Sequence, residues 1–190
     1  MPSFTTMIRD GDSKAWEVIK DVYGTETGQV ISLMDKNHAS KAVYKRLIEG
    51  RKGKLTVDRQ KLSGKGRVTE AFVDKISSYF CLAIQQTAKA GGDLSQVADA
   101  IWRTYYHKIG DHSRCSSAPD TWCTYHQAVQ SNSVEQYVQK GAVQPKYLEP
   151  LRYIFEDVTR KEYLERLLHD YSTSPNEAFH SLIWSFCSKV

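Results

Sequence analysis

The sequence predicts a mainly α-helical protein with one or two short strands. Apolar residues recur every three to four positions through most of its 190 residues, as the period of an α-helix requires. Residues 29–34 alone are typical of a strand, being short, partly β-branched and bounded by Gly28 and Asp35. A single strand cannot satisfy its own backbone groups, so we expect it to pair with a strand missing from this chain or to pack as irregular backbone.

Caps, breakers and apolar periodicity predict the elements in order. Residues 1–9 are interpreted as a weakly structured lead, and Asp12 or Ser13 caps the first helix. A basic, glycine-containing segment over residues 50–66 is predicted to be an exposed loop. Gly91 and Gly92 separate two longer helices. The predicted helices cover residues 15–22, 39–49, 67–88, 94–106, 122–130, 134–139, 145–155, 162–169 and 175–190.

Composition, charge and length limit the classes of function that this chain can have. With 26 Lys+Arg against 22 Asp+Glu, the net charge of +4 permits nucleic-acid binding without demonstrating it. No apolar run approaches the roughly 20 residues that span a bilayer, so we expect no membrane partner. The chain starts with no apolar signal segment, which favours a reducing compartment where disulfides are rare. The length suits one domain or one large piece of a bigger domain.

A group of His and Cys residues is the most informative local pattern. His107, His112, Cys115 and Cys123 fall within one segment that has little apolar material to hold it. Two imidazoles and two thiolates are a tetrahedral ligand set for Zn²⁺, so we expect a structural zinc site. His126 is an alternative to His107 as the fourth ligand. In the competing interpretation, the cysteines are small buried residues and His107 is a cation at a helix end.

Basic residues are densest between Lys41 and Lys65. We expect this segment to be exposed and to contact nucleic-acid phosphates without reading bases, although a solvated surface loop explains the same pattern. The candidate nucleic-acid-binding residues are Lys45, Arg46, Arg51, Lys52 and Lys54.

Three acidic motifs each have a local explanation and a functional one. Asp10 and Asp12 precede a helix, where carboxylates form an Asx turn and an N-cap or hold Mg²⁺ or Mn²⁺. Asp35 and His38 follow the predicted strand, as in a turn with a helix cap. Glu177 lies in Ser-Pro-Asn-Glu, which forms a capping box and could equally place a metal-binding carboxylate at a helix start.

The motifs, taken in their order along the chain, resemble those of the Mutator-like transposases of animal transposons. The order is DGDSKA, a strand, DxxH, a long helical stretch containing H…H..C…WC, and then SPNEAFHSLIWSFC. The most specific piece is residues 175–185, which is similar to the family pattern Asn-Glu-Ser-Phe-Asn-x-x-Ile-Trp. The match covers nearly the whole chain.

The resemblance implies a ribonuclease H-like catalytic domain in which three acidic residues bind two Mg²⁺ or Mn²⁺ ions. Asp10 resembles the second catalytic Asp, and Glu177 the closing Glu. Asp12 accompanies the former, while Asp35 and His38 match the C/DxxH motif. The expected domains are a partial ribonuclease H-like segment over residues 1–50, a helical insertion over 51–172 and a closing helix over 173–190.

The same resemblance implies metal-dependent DNA strand cleavage and transfer. Its implied partners are transposon ends and target DNA in the nucleus, with a possible homo-oligomer in the intact enzyme. No first catalytic Asp is found, so we expect a fragment that is inactive as an isolated chain. The resemblance also predicts that residues 29–34 lie beside the segment just before Asp10 in one sheet. The alternative function is a non-catalytic, zinc-stabilised helical module that binds DNA or protein, such as a domesticated remnant.

Overall fold

The computed structural model describes residues 6–9, Glu17 and residues 31–169. Several sequence predictions therefore lie outside the described residues. They are the first helix apart from Glu17, which is helical, the helix that begins at Pro175, and the residues Asp10, Asp12 and Glu177.

Two short strands form a parallel sheet. Strand β1 (Thr6–Arg9) pairs with β2 (Ile31–Met34), with Thr6 opposite Ile31 and Arg9 opposite Met34. This pairing confirms the expectation that the predicted strand lies beside the segment before Asp10. The interpretation of residues 1–9 as a weakly structured lead was wrong, as was the expectation that the strand lacks a partner in this chain. The Thr-Met-Ile-Arg sequence of β1 shows no alternation of apolar and polar residues, so its periodicity does not indicate a strand.

Three long helices follow the sheet: α1 (Lys36–Gly53), α2 (Glu70–Lys89) and α3 (Leu94–Lys108). Each begins at a residue whose side chain accepts backbone N–H groups, namely Asp35, Thr69 and Asp93. Because the Asp35 carboxylate accepts from the N–H groups of Asn37 and His38, α1 starts three residues earlier than predicted. The mainly α-helical class is confirmed.

The remaining helices are short. They are α4 (Thr124–Gln130), α5 (Pro145–Leu148), α6 (Arg152–Val158) and α7 (Lys161–Leu164), with 3-10 turns at Val134–Gln136 and Glu149–Leu151. The helices predicted over residues 134–139 and 162–169 are thus shorter than expected. Pro150 lies between α5 and α6, where its missing N–H interrupts what the sequence predicted as one helix.

After Gly53, the basic segment over residues 50–66 is largely the exposed loop that was predicted, and Lys54, Arg59, Lys61 and Lys65 are exposed to solvent. Helix α1 continues to Gly53, and Leu55 forms an antiparallel bridge with Lys61. Leu62 is completely buried, and Thr56 is 4% exposed. Leu62 therefore holds an otherwise exposed loop against the core, because its side chain adds buried apolar surface.

One hydrophobic core joins the three long helices to α5 and α6. This buried cluster includes Leu47 of α1, Ile76 of α2, Tyr105 of α3 and Phe155 of α6. The buried Tyr105 hydroxyl donates a 2.7 Å hydrogen bond to Glu149, which satisfies a polar group that would otherwise be stranded. Among the described helices, none combines the length and apolar character needed to cross a membrane.

The chain returns to the sheet after α7. The Met34 N–H donates a 2.8 Å hydrogen bond to the Arg166 carbonyl oxygen, and His169 Nε2 lies 3.0 Å from the Met34 carbonyl oxygen. Both backbone groups of the last residue of β2 are thus bonded to residues 166–169. Among the described residues, the segment from α1 to α7 thus begins and ends at the same edge of the sheet.

Candidate metal centre

His107, His112, Cys115 and Cys123 converge on one point. Their possible ligand atoms all lie within 4.8 Å of one another. The Sγ atom of Cys123 is 3.4 Å from Nδ1 of His112 and 3.9 Å from Nδ1 of His107. Cys115 Sγ is 3.5 Å from the same His107 nitrogen. The cluster is largely buried, since Cys123 is fully buried, Cys115 and His112 are 8% and 9% exposed, and His107 is partly buried.

These separations fit a tetrahedral metal. With Zn–S bonds of about 2.3 Å and Zn–N bonds of about 2.0–2.1 Å, a bound sulfur lies about 3.6 Å from a bound nitrogen. The measured S···N distances of 3.4, 3.5 and 3.9 Å bracket that value. Both histidines point Nδ1 inward, so the donor set can hold a metal ion such as zinc without a large rearrangement.

Local turns bring the four residues together. His107 lies at the end of α3, and Gly110 reverses the chain with a φ of +86°, a conformation that glycine adopts without steric cost. Asp111 then accepts a 2.9 Å hydrogen bond from the Ser113 N–H, and the Cys115 N–H donates to the His112 carbonyl. Cys123 is the N-cap residue of α4. Its amide donates to the hydroxyl of Thr121.

Burial sets the protonation of the cluster in the absence of a metal. Desolvation lowers the pKa of His107 to about 4, so its ring is neutral at pH 7 and has a free lone pair. Desolvation and the neighbouring Cys123 raise the pKa of Cys115 to about 12. Only a bound cation can keep the Cys115 thiolate at neutral pH, so metal binding must release its proton.

Residues outside the four ligands hold the histidine rings. The Gln139 side chain donates to the His107 carbonyl oxygen and also hydrogen-bonds to His112. The Tyr125 ring stacks on His112 with centroids 4.6 Å apart. Supporting contacts of this kind fix the orientation of metal-binding histidines. Sequence reasoning missed both residues because neither carries a metal-ligand signature.

His126 is not a member of this cluster. Its Nε2 atom lies 3.2 Å from the His112 carbonyl oxygen, where the ring supports the loop backbone. Geometry therefore selects His107 over His126 as the fourth candidate ligand. Cys81, in helix α2, is also separate, and its Sγ lies 3.7 Å from Asn37 Oδ1.

The candidate nucleic-acid-binding residues divide into two groups. Lys45, Lys52 and Lys54 are exposed. Arg46 forms a 2.6 Å ion pair with Asp157. Arg51 is only 14% exposed and donates to the Val68 carbonyl oxygen. The structure thus leaves the three lysines open to solvent and holds both arginines in contacts within the chain.

Asp35 and His38 lie at the junction of β2 and α1. The Asp35 side chain is 1% exposed, and His38 Nδ1 is 4.0 Å from its Oδ1 atom. Because β1 and β2 are parallel, their C-terminal ends share one sheet edge, and Asp10 follows Arg9 directly in the sequence. The geometry places the DxxH motif at that edge, with Asp35 acting as a helix cap.

Comparison with known proteins gives one match. The family model described as Mutator-like transposase matches residues 3–123. No curated protein and no solved structure matches the chain. The matched region contains both strands, the DxxH motif, α1 to α3 and all four residues of the metal cluster. The chain therefore belongs to the Mutator-like transposase family.

Proposed function

We propose that this protein acts in DNA transposition through metal-dependent strand cleavage and transfer, in the nucleus and on transposon ends and target DNA. Asp10 and Glu177 are the proposed carboxylate ligands of Mg²⁺ or Mn²⁺, which prefer oxygen donors. Asp12, Asp35 and His38 are proposed to support them at the same sheet edge. In this proposal, residues 1–50 and 173–190 contribute to a ribonuclease H-like fold, and residues 51–172 form a helical insertion.

The return of the chain to β2 is the observation that carries this proposal. Residues 166–169 bond to both backbone groups of Met34, and Met34 pairs with Arg9 in β1. Asp10 is the next residue after Arg9, and Glu177 follows His169 by eight positions. Eight residues can span at most about 27 Å. Within that limit the chain can bring Glu177 back to the sheet edge, as a shared metal site requires.

The second metal of the proposal is structural Zn²⁺, bound by His107, His112, Cys115 and Cys123. Four protein ligands leave no open position for water or substrate, which is typical of structural rather than catalytic zinc. When bound, the ion supplies a cross-link between the end of α3 and the start of α4. His107 and His112 stay neutral as ligands, and Gln139 orients them.

Iron-mediated cleavage of the polypeptide tests the catalytic assignment without requiring DNA cleavage. Fe²⁺ replaces Mg²⁺ at carboxylate sites, and with ascorbate and hydrogen peroxide it generates hydroxyl radicals that cut the nearby backbone. We expect cuts near residue 10 and near residue 177, both suppressed by excess Mg²⁺. Either Asp10→Asn or Glu177→Gln should remove both sets of cuts, because the two carboxylates hold the same ions.

Glu162→Gln is the matched control, because Glu162 is an exposed carboxylate of α7 outside the proposed site. It should leave the cutting pattern unchanged. Cuts near only one of the two positions, or cuts insensitive to Asp10→Asn, would contradict a shared metal site.

The metal cluster also favours a second candidate function, a non-catalytic zinc-stabilised module that binds DNA or protein. The observation behind it is that the closed His/Cys site needs no contribution from Asp10 or Glu177. This alternative predicts stoichiometric zinc together with no iron-mediated cuts at either carboxylate. The cleavage experiment therefore separates the two functions.

A further inference from the structure

An open groove of about 370 Å³ lies between α2 and α3 and is bordered by the metal-binding loop. Helix α2 contributes Tyr79, Leu82 and Gln86, which recur at helical spacing on one face. Helix α3 contributes Arg103 and Thr104, and the loop contributes Trp122. None of these residues belongs to the metal cluster or to the proposed catalytic site.

The groove exposes large apolar side chains. Trp122 is 53% exposed, Leu82 43% and Tyr79 39%. A tryptophan normally buries most of its surface, because its ring is the largest apolar group available for packing. Apolar surface collected in one concave place indicates a binding site rather than scattered surface residues.

The groove is also cationic. Arg103 is the cationic residue of the groove lining. Its guanidinium forms no ion pair with any described residue, and its Nε is buried without a hydrogen-bond partner. Lys108 Nζ lies 5.2 Å from the Tyr79 ring centroid, although the residue is only 7% exposed. A partly buried guanidinium without an acceptor is costly, so a ligand that supplies an anion would be stabilised there.

We propose that this groove binds an unpaired nucleotide of single-stranded DNA. The base stacks on Trp122, the Arg103 guanidinium pairs with a backbone phosphate, and Gln86 and Thr104 offer hydrogen bonds to the base edge. Aromatic faces combined with unpaired cations are the chemistry by which proteins hold single strands. This inference rests on the proposed role in DNA transposition and assigns a separate binding site to it.

The metal-binding loop positions the stacking residue. Trp122 precedes the ligand Cys123, and its ring centroid is 4.8 Å from that of His107. A bound metal would fix both neighbours of the indole and so hold it at the border of the groove. Removal of the metal should therefore weaken single-strand binding even though the ion touches no DNA.

Fluorescence anisotropy with a labelled oligo(dT) strand and a labelled duplex of equal length tests the proposal on the full chain. Trp122→Ala should weaken binding of the single strand by about tenfold. Trp122→Phe keeps an aromatic face and should stay within about threefold of the parent. Val138→Ala is the control, because it removes an apolar side chain that is 78% exposed and lies outside the groove.

Arg103→Gln is measured together with zinc content, because the Arg103 charge also acts on the candidate ligand Cys115. We expect it to weaken oligo(dT) binding severalfold and to reduce its salt dependence, with full zinc content by elemental analysis. Unchanged oligo(dT) affinity and salt dependence at full zinc content would contradict the phosphate role.

Two further outcomes would overturn the inference, and they differ in whether the proposed function also fails. If the parent chain binds DNA and Trp122→Ala binds oligo(dT) equally well, the groove is not the single-strand site, and the proposed function is unaffected. If the parent chain binds neither the single strand nor the duplex, the groove assignment and the DNA-directed function both fail.

Discussion

The backbone N–H of Met34 donates a 2.8 Å hydrogen bond to the carbonyl oxygen of Arg166. This hydrogen bond joins the end of β2 to a segment that follows the whole helical region. Although a long helical stretch separates residues 34 and 166 in the sequence, this hydrogen bond brings them together. Helix α1 begins directly after β2, at its cap residue Asp35, and residues 166–169 contact the end of β2 again.

The metal cluster should contribute strongly to stability. Cys115→Ser removes one of four ligands, and we expect it to lower the free energy of unfolding by more than about 3 kcal/mol, because metal binding and folding of the loop are coupled. Thermal unfolding with and without a zinc chelator measures the effect. Cys81→Ser is the matched control and should cost less than about 1 kcal/mol. Equal chelator sensitivity of the Cys115→Ser protein and its parent would argue against the site.

Two glycines of α1 should respond oppositely to alanine. A Cβ on Gly50 would lie 2.6 Å from Leu151 Cδ2, whereas a Cβ on Gly53 would meet nothing within 4 Å. Because Leu151 is completely buried, we expect Gly50→Ala to destabilise the protein by about 1–3 kcal/mol. Gly53→Ala should be neutral or stabilising by less than about 1 kcal/mol, since alanine favours the helix. Urea unfolding of both variants checks the contrast, and an unaffected Gly50→Ala protein would show that α1 does not pack this closely on Leu151.

The Tyr105 hydroxyl should have a small but measurable effect. Burial and the hydrogen bond to Glu149 raise the pKa of Tyr105 above its ordinary value, so the phenol stays protonated throughout the physiological range. Tyr105→Phe should cost about 1 kcal/mol, because Glu149 is largely exposed and regains water when the bond is removed. Tyr105→Ala should cost about 3–5 kcal/mol through loss of core packing. Similar losses from both substitutions would show that the hydrogen bond, rather than the ring, dominates.

The exposed lysines near α1 should contribute to duplex DNA binding. Replacing Lys45, Lys52 and Lys54 with Gln should lower affinity and reduce the slope of log K against log salt by about 0.9 for each phosphate that the variant no longer neutralises. A second triple variant, Lys89→Gln, Lys140→Gln and Lys161→Gln, makes the same charge change at exposed sites elsewhere. Equal effects of the two variants would indicate general electrostatic attraction and no defined DNA-binding face. Arg51 is omitted because its burial makes a stability change the expected result.

Local sequence signals predicted what local interactions determine. The apolar stripes and the breakers Gly91 and Gly92 predicted the long helices to within a few residues. His107, His112, Cys115 and Cys123 could be selected together because they lie within one loop and its flanking helix ends.

Interactions between distant residues could not be recognised in the same way. Strand β1 depends on pairing with β2, and the support of His112 by Gln139 depends on a later loop. The burial of Arg51 likewise depends on Val68 and Glu70 across the loop after α1. Neither the periodicity nor the spacing of residues in the sequence indicates such interactions. Each partner, taken alone, is an ordinary polar residue or a short apolar segment.

X-ray absorption spectroscopy at the zinc edge tests the central claim, that a His₂Cys₂ metal centre organises this helical region, most directly. We expect one zinc per chain, with two sulfur atoms at about 2.3 Å and two nitrogen atoms at about 2.0–2.1 Å. Cys123→Ser should reduce the sulfur count to one. Substoichiometric metal after expression in zinc-supplemented medium, or a first shell of oxygen and nitrogen alone, would contradict the metal centre.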